Sequence, residues 1–317
     1  MSKTDVVALG ELLIDFTLNG ESTQGNPMFE ANPGGAPCNV LSMLSKLGKR
    51  TSFIGKVGND QFGRLLRDTI EEVGIDSKYL LIDKEIPTTL AFVHTFPDGD
   101  REFSFYRKPG ADMMLTEDEI AEEMVSDTKI FHFGTLSMTH ENVRKATIKA
   151  IEMAKRNGAI ISLDPNLREP LWDNLENAKE QMLKAVSMCD VLKISDNEIQ
   201  FLTGIEDYEE GIAKLRSIYD IPLVCLTLGK DGSRAYYKDM RVEVPGFKQE
   251  NVIDTTGAGD TFCGCVLNYI CENGLHNLNE NNLKEMITFA NAAASLVTLK
   301  RGAIKSMPDK EEVEALL

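Results

Sequence analysis

A run of small residues followed by an acid marks the first candidate site. The segment DTTGAGD, residues 254–260, leads directly into an apolar stretch with helical spacing. Gly257, Ala258 and Gly259 would let successive backbone N–H groups point outward at the start of that helix, where an anion is favoured. Asp260 would then lie beside the anion, as a base that takes the proton from an attacking hydroxyl. Alternatively, Asp260 only favours the helix N-terminus through its charge.

Two segments near the amino terminus carry groups that suit hydroxyls. In GGAPCN, Gly34 and Gly35 allow a ligand close to the backbone, and Asn39 can both donate and accept hydrogen bonds. Asp15 follows the first apolar run, where one carboxylate could accept bonds from two vicinal hydroxyls of a sugar. The plain alternatives are a helix start with proline in its first turn and a solvated loop charge.

Three more segments follow predicted strands, at the sheet edge where open α/β sheets bind their ligands. They are DPNLR, KISDNE and TLGKDG. Their candidate phosphate, magnesium or nucleotide ligands are Asn166, Arg168, Lys193, Glu198, Thr227, Gly229 and Gly232. Ser195 and Glu198 also fit a capping box, a purely structural role that is compatible with a second one.

Strands and helices alternate along the chain and would position these groups. Short apolar runs predict buried strands at 5–9, 51–57, 129–133, 159–163, 190–194 and 222–228. Helical spacing or capping signals predict helices at 40–47, 60–73, 117–125, 140–157, 174–188, 207–219, 257–272, 281–298 and 309–316. This alternation predicts an α/β fold with a mostly parallel sheet covered on both faces.

Residues 11–33 and 87–107 break this alternation and read as extended chain. The second segment contains PDGD at 97–100, a strong hairpin-turn signal. We expect the two segments to form a small sheet that acts as a lid or a dimer surface. Both feed back into the main sheet, so we interpret residues 1–317 as one domain with the lid segments inserted in it.

Composition excludes several classes of function. The 317 residues include 34 Lys and Arg against 50 Asp and Glu, a net charge of −16, which argues against binding nucleic acid or an anionic membrane. The longest uncharged stretch, 31–45, carries two prolines and is too short for a membrane helix. Six scattered cysteines without CxxC spacing favour reduced thiols over disulfides or zinc. With no signal-peptide pattern, we expect a cytoplasmic protein.

Taken in order, the motifs strongly resemble those of the ribokinase-like (PfkB) sugar kinases, and among these the fructokinases. The matching segments are GGAPCN at 34–39, GKVGNDQFG at 55–63, DPNLR at 164–168, TLGKDG at 227–232, DTTGAGD at 254–260 and NAAAS at 291–295. The resemblance implies a doubly wound sheet with a small β lid. It also implies transfer of the ATP γ-phosphoryl group to a sugar hydroxyl, with Mg²⁺ and, as in many relatives, K⁺.

The resemblance also assigns roles to individual residues. Asp260 would be the catalytic base, and Gly257, Ala258 and Gly259 would form the anion hole. The sugar contacts would be Asp15, Gly34, Gly35, Asn39, Arg107 and Asp260. The nucleotide and phosphate contacts would be Asn166, Arg168, Lys193, Thr227, Gly229, Gly232 and Asn291. Glu198 would hold Mg²⁺ through water, and Asp254, Thr256 and Gly302 would hold the monovalent cation. Two chains could pair through the lid to form a homodimer.

The sequence departs from the family pattern at two positions, and three alternative functions can be weighed against it. Ser195 replaces the asparagine of many relatives, and Cys265 replaces a small residue after the anion hole. A 2-keto-3-deoxygluconate kinase would need positive charge near its substrate, which Arg107 and Lys108 could supply. A non-catalytic sugar-binding regulator would be favoured by loss of Asp260, which is intact. A dinucleotide oxidoreductase needs G-x-G-x-x-G after the first strand, which is missing. The negative net charge favours an uncharged sugar, fructose.

Overall fold

Two β-sheets make up the strand framework of the computed structural model, which describes residues 4–95 and 101–317. The strands are β1 Thr4–Leu9, β2 Leu13–Glu21, β3 Pro27–Gly34, β4 Thr51–Gly58, β5 Ile75–Asp83, β6 Leu90–Thr95, β7 Arg101–Tyr106, β8 Thr128–Gly134, β9 Ile160–Asp164, β10 Val191–Ser195, β11 Leu223–Thr227, β12 Ser233–Tyr237 and β13 Met240–Val244. The larger sheet has the order β13-β12-β11-β10-β9-β8-β1-β4-β5. Its seven strands β11, β10, β9, β8, β1, β4 and β5 run parallel, and β12 and β13 add an antiparallel edge.

Helices cover both faces of this sheet. They are α1 Ala36–Lys46, α2 Gln61–Glu72, α3 Glu141–Arg156, α4 Leu175–Val186, α5 Asp196–Thr203, α6 Tyr208–Ile218, α7 Ala258–Asn273, α8 Glu280–Val297 and α9 Lys310–Glu314. In β1, Val6 and Ala8 pack with α1, α2, α7 and α8 in one core, while Val7 and Leu9 pack with α3–α6 in the other. Since successive side chains of a strand point to opposite faces, this division is that of a doubly wound sheet.

The sequence predicts this architecture well, and the doubly wound fold is confirmed. The prediction of a helix over 117–125 is wrong: only two short 3₁₀ turns form there, Glu117–Glu119 and Glu122–Met124. The capping box of the first turn is present, but Ile120 and Val125 are buried and hold the chain against the core. The sequence patterns do not predict β5 or the β12–β13 hairpin, where charged residues such as Lys78, Arg234 and Glu243 interrupt the apolar runs.

The lid is a separate four-stranded sheet with the order β3-β2-β6-β7. It is built from the two segments that break the alternation, although the predicted turn at 97–100 lies outside the described residues. Phe16 stacks on Phe92 with ring centroids 4.9 Å apart and meets Phe62 of α2 edge-on at 5.6 Å, so aromatic contacts join the lid to the body. Leu18 and Tyr106 are exposed on the lid, and the pairing of two chains through it stays a prediction.

The described residues include five fully buried cysteines, Cys38, Cys189, Cys225, Cys263 and Cys265, and all six thiols of the chain are free. Five of them therefore act as small core side chains. No helix within residues 4–95 and 101–317 is long and apolar enough to cross a membrane.

A close crossing of α1 and α7 brings the amino-terminal and carboxyl-terminal motifs together. A Cβ atom at Gly264 in α7 would lie 2.8 Å from the Cβ of Met43 and 3.1 Å from the carbonyl oxygen of Val40, both in α1. Those distances are shorter than van der Waals contact, so only glycine permits this crossing.

We therefore expect Gly264→Ala to destabilise the protein. Overpacking typically costs about 1–3 kcal/mol, and it exceeds the gain of up to about 1 kcal/mol from better helix propensity, because neither a Cβ nor a backbone oxygen can rotate away. The midpoint of urea unfolding should fall. The control is Cys271→Ala, a partly buried position on the same helix, which should lower the midpoint less; an unchanged midpoint for Gly264→Ala would contradict the tight crossing.

Candidate active site

A cavity of about 370 Å³ lies between the lid, the carboxyl ends of the parallel strands and the start of α7. The lid contributes Phe105, which lines the cavity from β7. Ten of the predicted site residues line the same cavity: Asp15, Gly35, Asn39, Asn166, Arg168, Lys193, Thr256, Gly257, Gly259 and Asp260. Motifs that are more than 200 residues apart in the sequence thus meet in one place.

The start of α7 is shaped to receive an anion. Gly257 is the N-cap residue and has a left-handed backbone with φ +81°, and a Cβ atom there would lie 2.6 Å from the Cβ of Ala303. A Cβ at Gly259 would lie 2.9 Å from Nζ of Lys193, so the ammonium lies directly against the first turn. The first N–H groups of a helix lack partners within it, and the helix dipole adds positive potential. The three features together suit a phosphate group.

Lys193 forms a buried ion pair with Asp164. Its Nζ lies 3.0 Å from Oδ2 and 3.1 Å from Oδ1 of Asp164, and both side chains are buried. Burial raises the pKa of Asp164 to about 7 although Lys193 favours its ionised form. Burial by itself would lower the pKa of Lys193, but the charges of Asp164, Glu198 and Asp260 raise it overall, so Lys193 stays cationic. Asp164 was not predicted as a site residue, because an acid at the end of a strand is not distinctive in the sequence.

Carboxylates also line the cavity. Asp260 is 8% exposed, and Nδ2 of Asn39 donates to its Oδ2 at 2.7 Å. Burial raises the pKa of Asp260, against the opposing effect of the Asn39 bond. Burial raises the pKa of Asp15 to about 7, and the charges of Asp254 and Asp260 add to that shift while Arg168 opposes it.

Glu11 is a third carboxylate in the cavity wall, and the sequence patterns did not indicate it. It is buried and lines the cavity, and its Oε1 accepts a hydrogen bond from the N–H of Ala36 at 2.9 Å. Burial raises its pKa to about 7. A lone glutamate after a strand has no spacing pattern, so sequence alone could not separate it from a solvated loop charge.

Gly34 and Gly35 provide the close approach that the sequence suggested, but to protein groups. A Cβ at Gly34 would overlap Oδ2 of Asp15, and one at Gly35, where φ is +130°, would overlap the carbonyl oxygen of Glu11. The two glycines let α1 begin directly against the segment between β1 and β2 and the start of β2, which carry the two acids. Only Gly35 lines the larger cavity; Gly34 lines a smaller one beside it.

Arg107 forms buried contacts beside the cavity. Its guanidinium is buried and donates to Oδ2 of Asp112 at 2.8 Å, to Oγ1 of Thr139 at 2.9 Å and to the carbonyl oxygen of Leu136 at 3.1 Å. It is not among the residues that line the cavity. Spacing could not show these contacts, which fix the end of the lid, and the contact of Arg107 with a sugar or phosphate stays a prediction.

Four predicted nucleotide residues lie beside the cavity rather than in its wall, near the β11–β13 edge of the sheet. Thr227 ends β11 and pairs with Ser195. A Cβ at Gly232 would overlap the carbonyl oxygen of Val244, and Nδ2 of Asn291 donates to that same oxygen at 3.2 Å. Gly229 opens the turn between β11 and β12. Their contact with a nucleotide stays a prediction.

Glu198 forms the capping box that its spacing predicts. Its Oε2 accepts from the N–H and Oγ of Ser195, each at 2.9 Å, and its Oε1 accepts from the N–H of Leu167 at 2.8 Å. A carboxylate offers about four acceptor sites, so these three bonds leave room for one more. That donor set fits a Mg²⁺ ion held through its own water, since Mg²⁺ keeps several waters in protein sites.

The predicted residues for a monovalent cation are brought together. Asp254, Thr256 and Gly302 line a small cavity of about 20 Å³ next to Asp15. Oδ1 of Asp254 accepts from Oγ1 of Thr256 at 2.7 Å, and its Oδ2 accepts from the N–H of Gly302 at 3.1 Å. Oxygen donors around a space of this size fit a hard cation. No cluster of three or more His, Cys, Asp or Glu that could hold a metal occurs in the part of the chain that the structure describes.

Comparison with known proteins gives a consistent result over the whole chain. The family model described as pfkB family carbohydrate kinase matches residues 3–310. Fructokinase-1 of Zea mays is 43% identical over 314 residues, which cover 98% of this chain and 97% of that protein.

Two solved structures share the fold closely. The crystal structure of fructokinase with bound ATP from Xylella fastidiosa has a TM-score of 0.90 at 30% identity, and the match covers 99% of this chain and 98% of that one. A double mutant of fructokinase from Vibrio cholerae O395, in a form with bound fructose, ADP and potassium ion, has a TM-score of 0.89 at 32% identity. That match covers 100% of this chain and 99% of that one. With the motifs gathered in one cavity and the family model matched over nearly the whole length, the chain belongs to the pfkB family of carbohydrate kinases.

Proposed function

We propose that this protein is an ATP-dependent fructokinase, which transfers the γ-phosphoryl group of ATP to a hydroxyl of fructose to give fructose 6-phosphate. The observation that carries the proposal is that a buried candidate base and an anion site share one cavity. Asp260 lines the cavity together with Glu11 and Asp15, and Lys193 lies against the first turn of α7. The relatives named fructokinase support the choice of sugar.

The carboxylates in the cavity wall favour a neutral sugar over a sugar acid. Carboxylates accept hydrogen bonds from hydroxyl groups but repel another carboxylate at the same distance. Neither lid cation that would help a 2-keto-3-deoxygluconate kinase lines the cavity, since Arg107 is paired with Asp112 and Lys108 is exposed. The cavity wall carries three carboxylates against two cations, Arg168 and Lys193, and this excess of negative charge disfavours an acidic substrate.

The proposed reaction follows from the position of Asp260. Its carboxylate takes the proton from the attacking hydroxyl as the oxygen bonds to the γ-phosphorus, and the bond to the β-phosphate oxygen breaks to release ADP. Burial raises the pKa of Asp260, which makes it a stronger base than a solvated aspartate. The N-terminus of α7 and Lys193 stabilise the negative charge of the phosphates during transfer.

Two cations complete the proposal. Mg²⁺ would accompany ATP and neutralise phosphate charge, with Glu198 holding it through water. The site formed by Asp254, Thr256 and Gly302 would take K⁺, in line with the potassium ion in the Vibrio cholerae relative. Its place beside the start of α7 would add positive charge behind the anion hole.

The lid would exclude water from the acceptor site. Phe105 reaches the cavity from β7, and Asp15 reaches it from β2, so two lid strands already contribute to the wall. Keeping water out matters because water competes with the sugar hydroxyl for the phosphoryl group.

A coupled assay of ADP release across fructose, 2-keto-3-deoxygluconate, ribose, adenosine and glucose tests the function. We expect the highest kcat/KM for fructose, because the carboxylates of the cavity accept hydrogen bonds from its hydroxyls and fructose carries no negative charge.

Asp260→Asn, prepared in the same way, should lower kcat by at least about 10²–10⁴-fold while ATP and fructose still bind. Preference for the acid, or comparable kcat in the variant, would contradict the proposal; binding of fructose without ADP release in the wild type would favour a regulator.

Hydrogen exchange with and without fructose tests the lid. We expect amides of β6 and β7 to exchange more slowly with fructose bound, because the sugar ties the lid to the body. Amides of the buried strand β9 provide the internal control, since closure does not change their surroundings. Equal protection of β6 and β7 in both states would contradict closure.

A further inference from the structure

We propose that Asn39 is a positioning residue for Asp260: its amide orients the carboxylate of the base before any sugar binds. This role goes beyond a sugar contact for Asn39, and it rests on the proposed function because it assigns Asp260 as the base. The geometry points to it through one hydrogen bond and the packing that fixes both ends of that bond.

The hydrogen bond is short and protected. Nδ2 of Asn39 donates to Oδ2 of Asp260 at 2.7 Å, and the two residues are 4% and 8% exposed. Oδ1 of Asn39 has no hydrogen-bond partner among the described residues, so the amide is held here by its donor. A donor at Oδ2 leaves Oδ1 of Asp260 to receive the proton of a sugar hydroxyl.

The two helices that carry these side chains cannot shift easily. Gly264, one turn after Asp260 in α7, allows the backbone to lie against Val40 and Met43, which follow Asn39 in α1. Both side chains therefore start from backbones in direct contact. The bond is a consequence of that crossing rather than of a flexible side chain reaching across a gap.

A second contact fixes the start of α1. Oε1 of Glu11 accepts from the N–H of Ala36 at 2.9 Å, and the N–H of Asn39 donates to the carbonyl oxygen of Gly35 at 3.0 Å. An acceptor at the first turn stabilises a helix N-terminus. Glu11 thereby anchors the turn that presents Asn39, which gives this buried acid a function that its isolated position in the sequence did not reveal.

The bond has a defined electrostatic effect on the base. Hydrogen bonding to the charged form of a carboxylate favours that form, so the Asn39 bond lowers the pKa of Asp260 against the larger raising effect of burial. The other charged or titratable groups that act on Asp260 are Lys193, Arg168, Glu198, Asp15, Asp164 and Cys263. Loss of the Asn39 donor leaves these groups in place and should raise the pKa of Asp260 further.

The test is the pH dependence of kcat/KM for the best sugar acceptor at saturating MgATP, because its acidic limb reports groups of the enzyme–MgATP complex before the sugar binds. In Asn39→Leu, which keeps the volume, and Asn39→Ser, which is too short to reach, the limb should move to higher pH by about one to two pH units. At pH 6, kcat should fall more than at pH 8. Circular dichroism and thermal unfolding check that each variant folds.

Two controls separate positioning from general disturbance. Cys38→Ala alters the neighbouring position of α1 without touching Asp260, so its limb should stay in place. Asp15→Asn removes a negative charge near Asp260, so its limb should stay or move to lower pH, opposite to the Asn39 variants.

The outcomes distinguish this inference from the proposed function. A limb that stays in place in both Asn39 variants, with only KM for the sugar raised, would overturn the positioning role and leave Asn39 a sugar contact. A limb that moves equally in Cys38→Ala would also overturn it. A wild type that transfers no phosphoryl group to any sugar would instead contradict the proposed function.

Discussion

The buried ammonium of Lys193 makes it possible for so many carboxylates to share one site. Asp164 is paired with it at 3.0 Å, and the charges of Glu198 and Asp260 also act on it. Without this cation, the like charges of three buried acids would favour their protonated forms, and Asp260 could not serve as a base near neutral pH. The same ammonium lies against the first turn of α7. One group therefore compensates the negative charge of the acids and adds positive charge to the proposed phosphate site.

The rest of the architecture keeps that arrangement in place. Parallel strands deliver Asp164 and Lys193 to the same sheet edge, since β9 and β10 are neighbours. The crossing of α1 and α7 at Gly264 brings Asn39 to Asp260, and the lid adds Asp15 from β2. Each group comes from an element that is fixed by core packing, which is how a cavity can hold several charges in defined positions.

Sequence reasoning found the groups that lie in patterned segments and missed those that do not. The small-residue run before Asp260 and the glycines before Asn39 have spacing with a physical meaning, and both lie at the cavity. Glu11 and Asp164 are single acids after or at the end of a strand, and no spacing pattern distinguishes them from exposed acids. Only the fold shows that they are buried. Arg107 carries the right charge for a ligand, and no sequence pattern shows that it pairs with Asp112. Likewise, tertiary burial of Ile120 and Val125 overrides a good helix-start signal.

The buried carboxylates in the cavity wall should select a neutral sugar over a sugar acid. The most direct test is kcat/KM of Asp15→Asn for fructose and for 2-keto-3-deoxygluconate. Losing a hydrogen bond to a charged acceptor costs about 1.5–3 kcal/mol, so kcat/KM for fructose should fall roughly 10- to 150-fold. The preference for fructose over the acid should narrow, because the substitution also removes a repulsive charge. Unchanged kcat/KM for fructose, with unchanged preference between the two sugars, would contradict selection by the carboxylates.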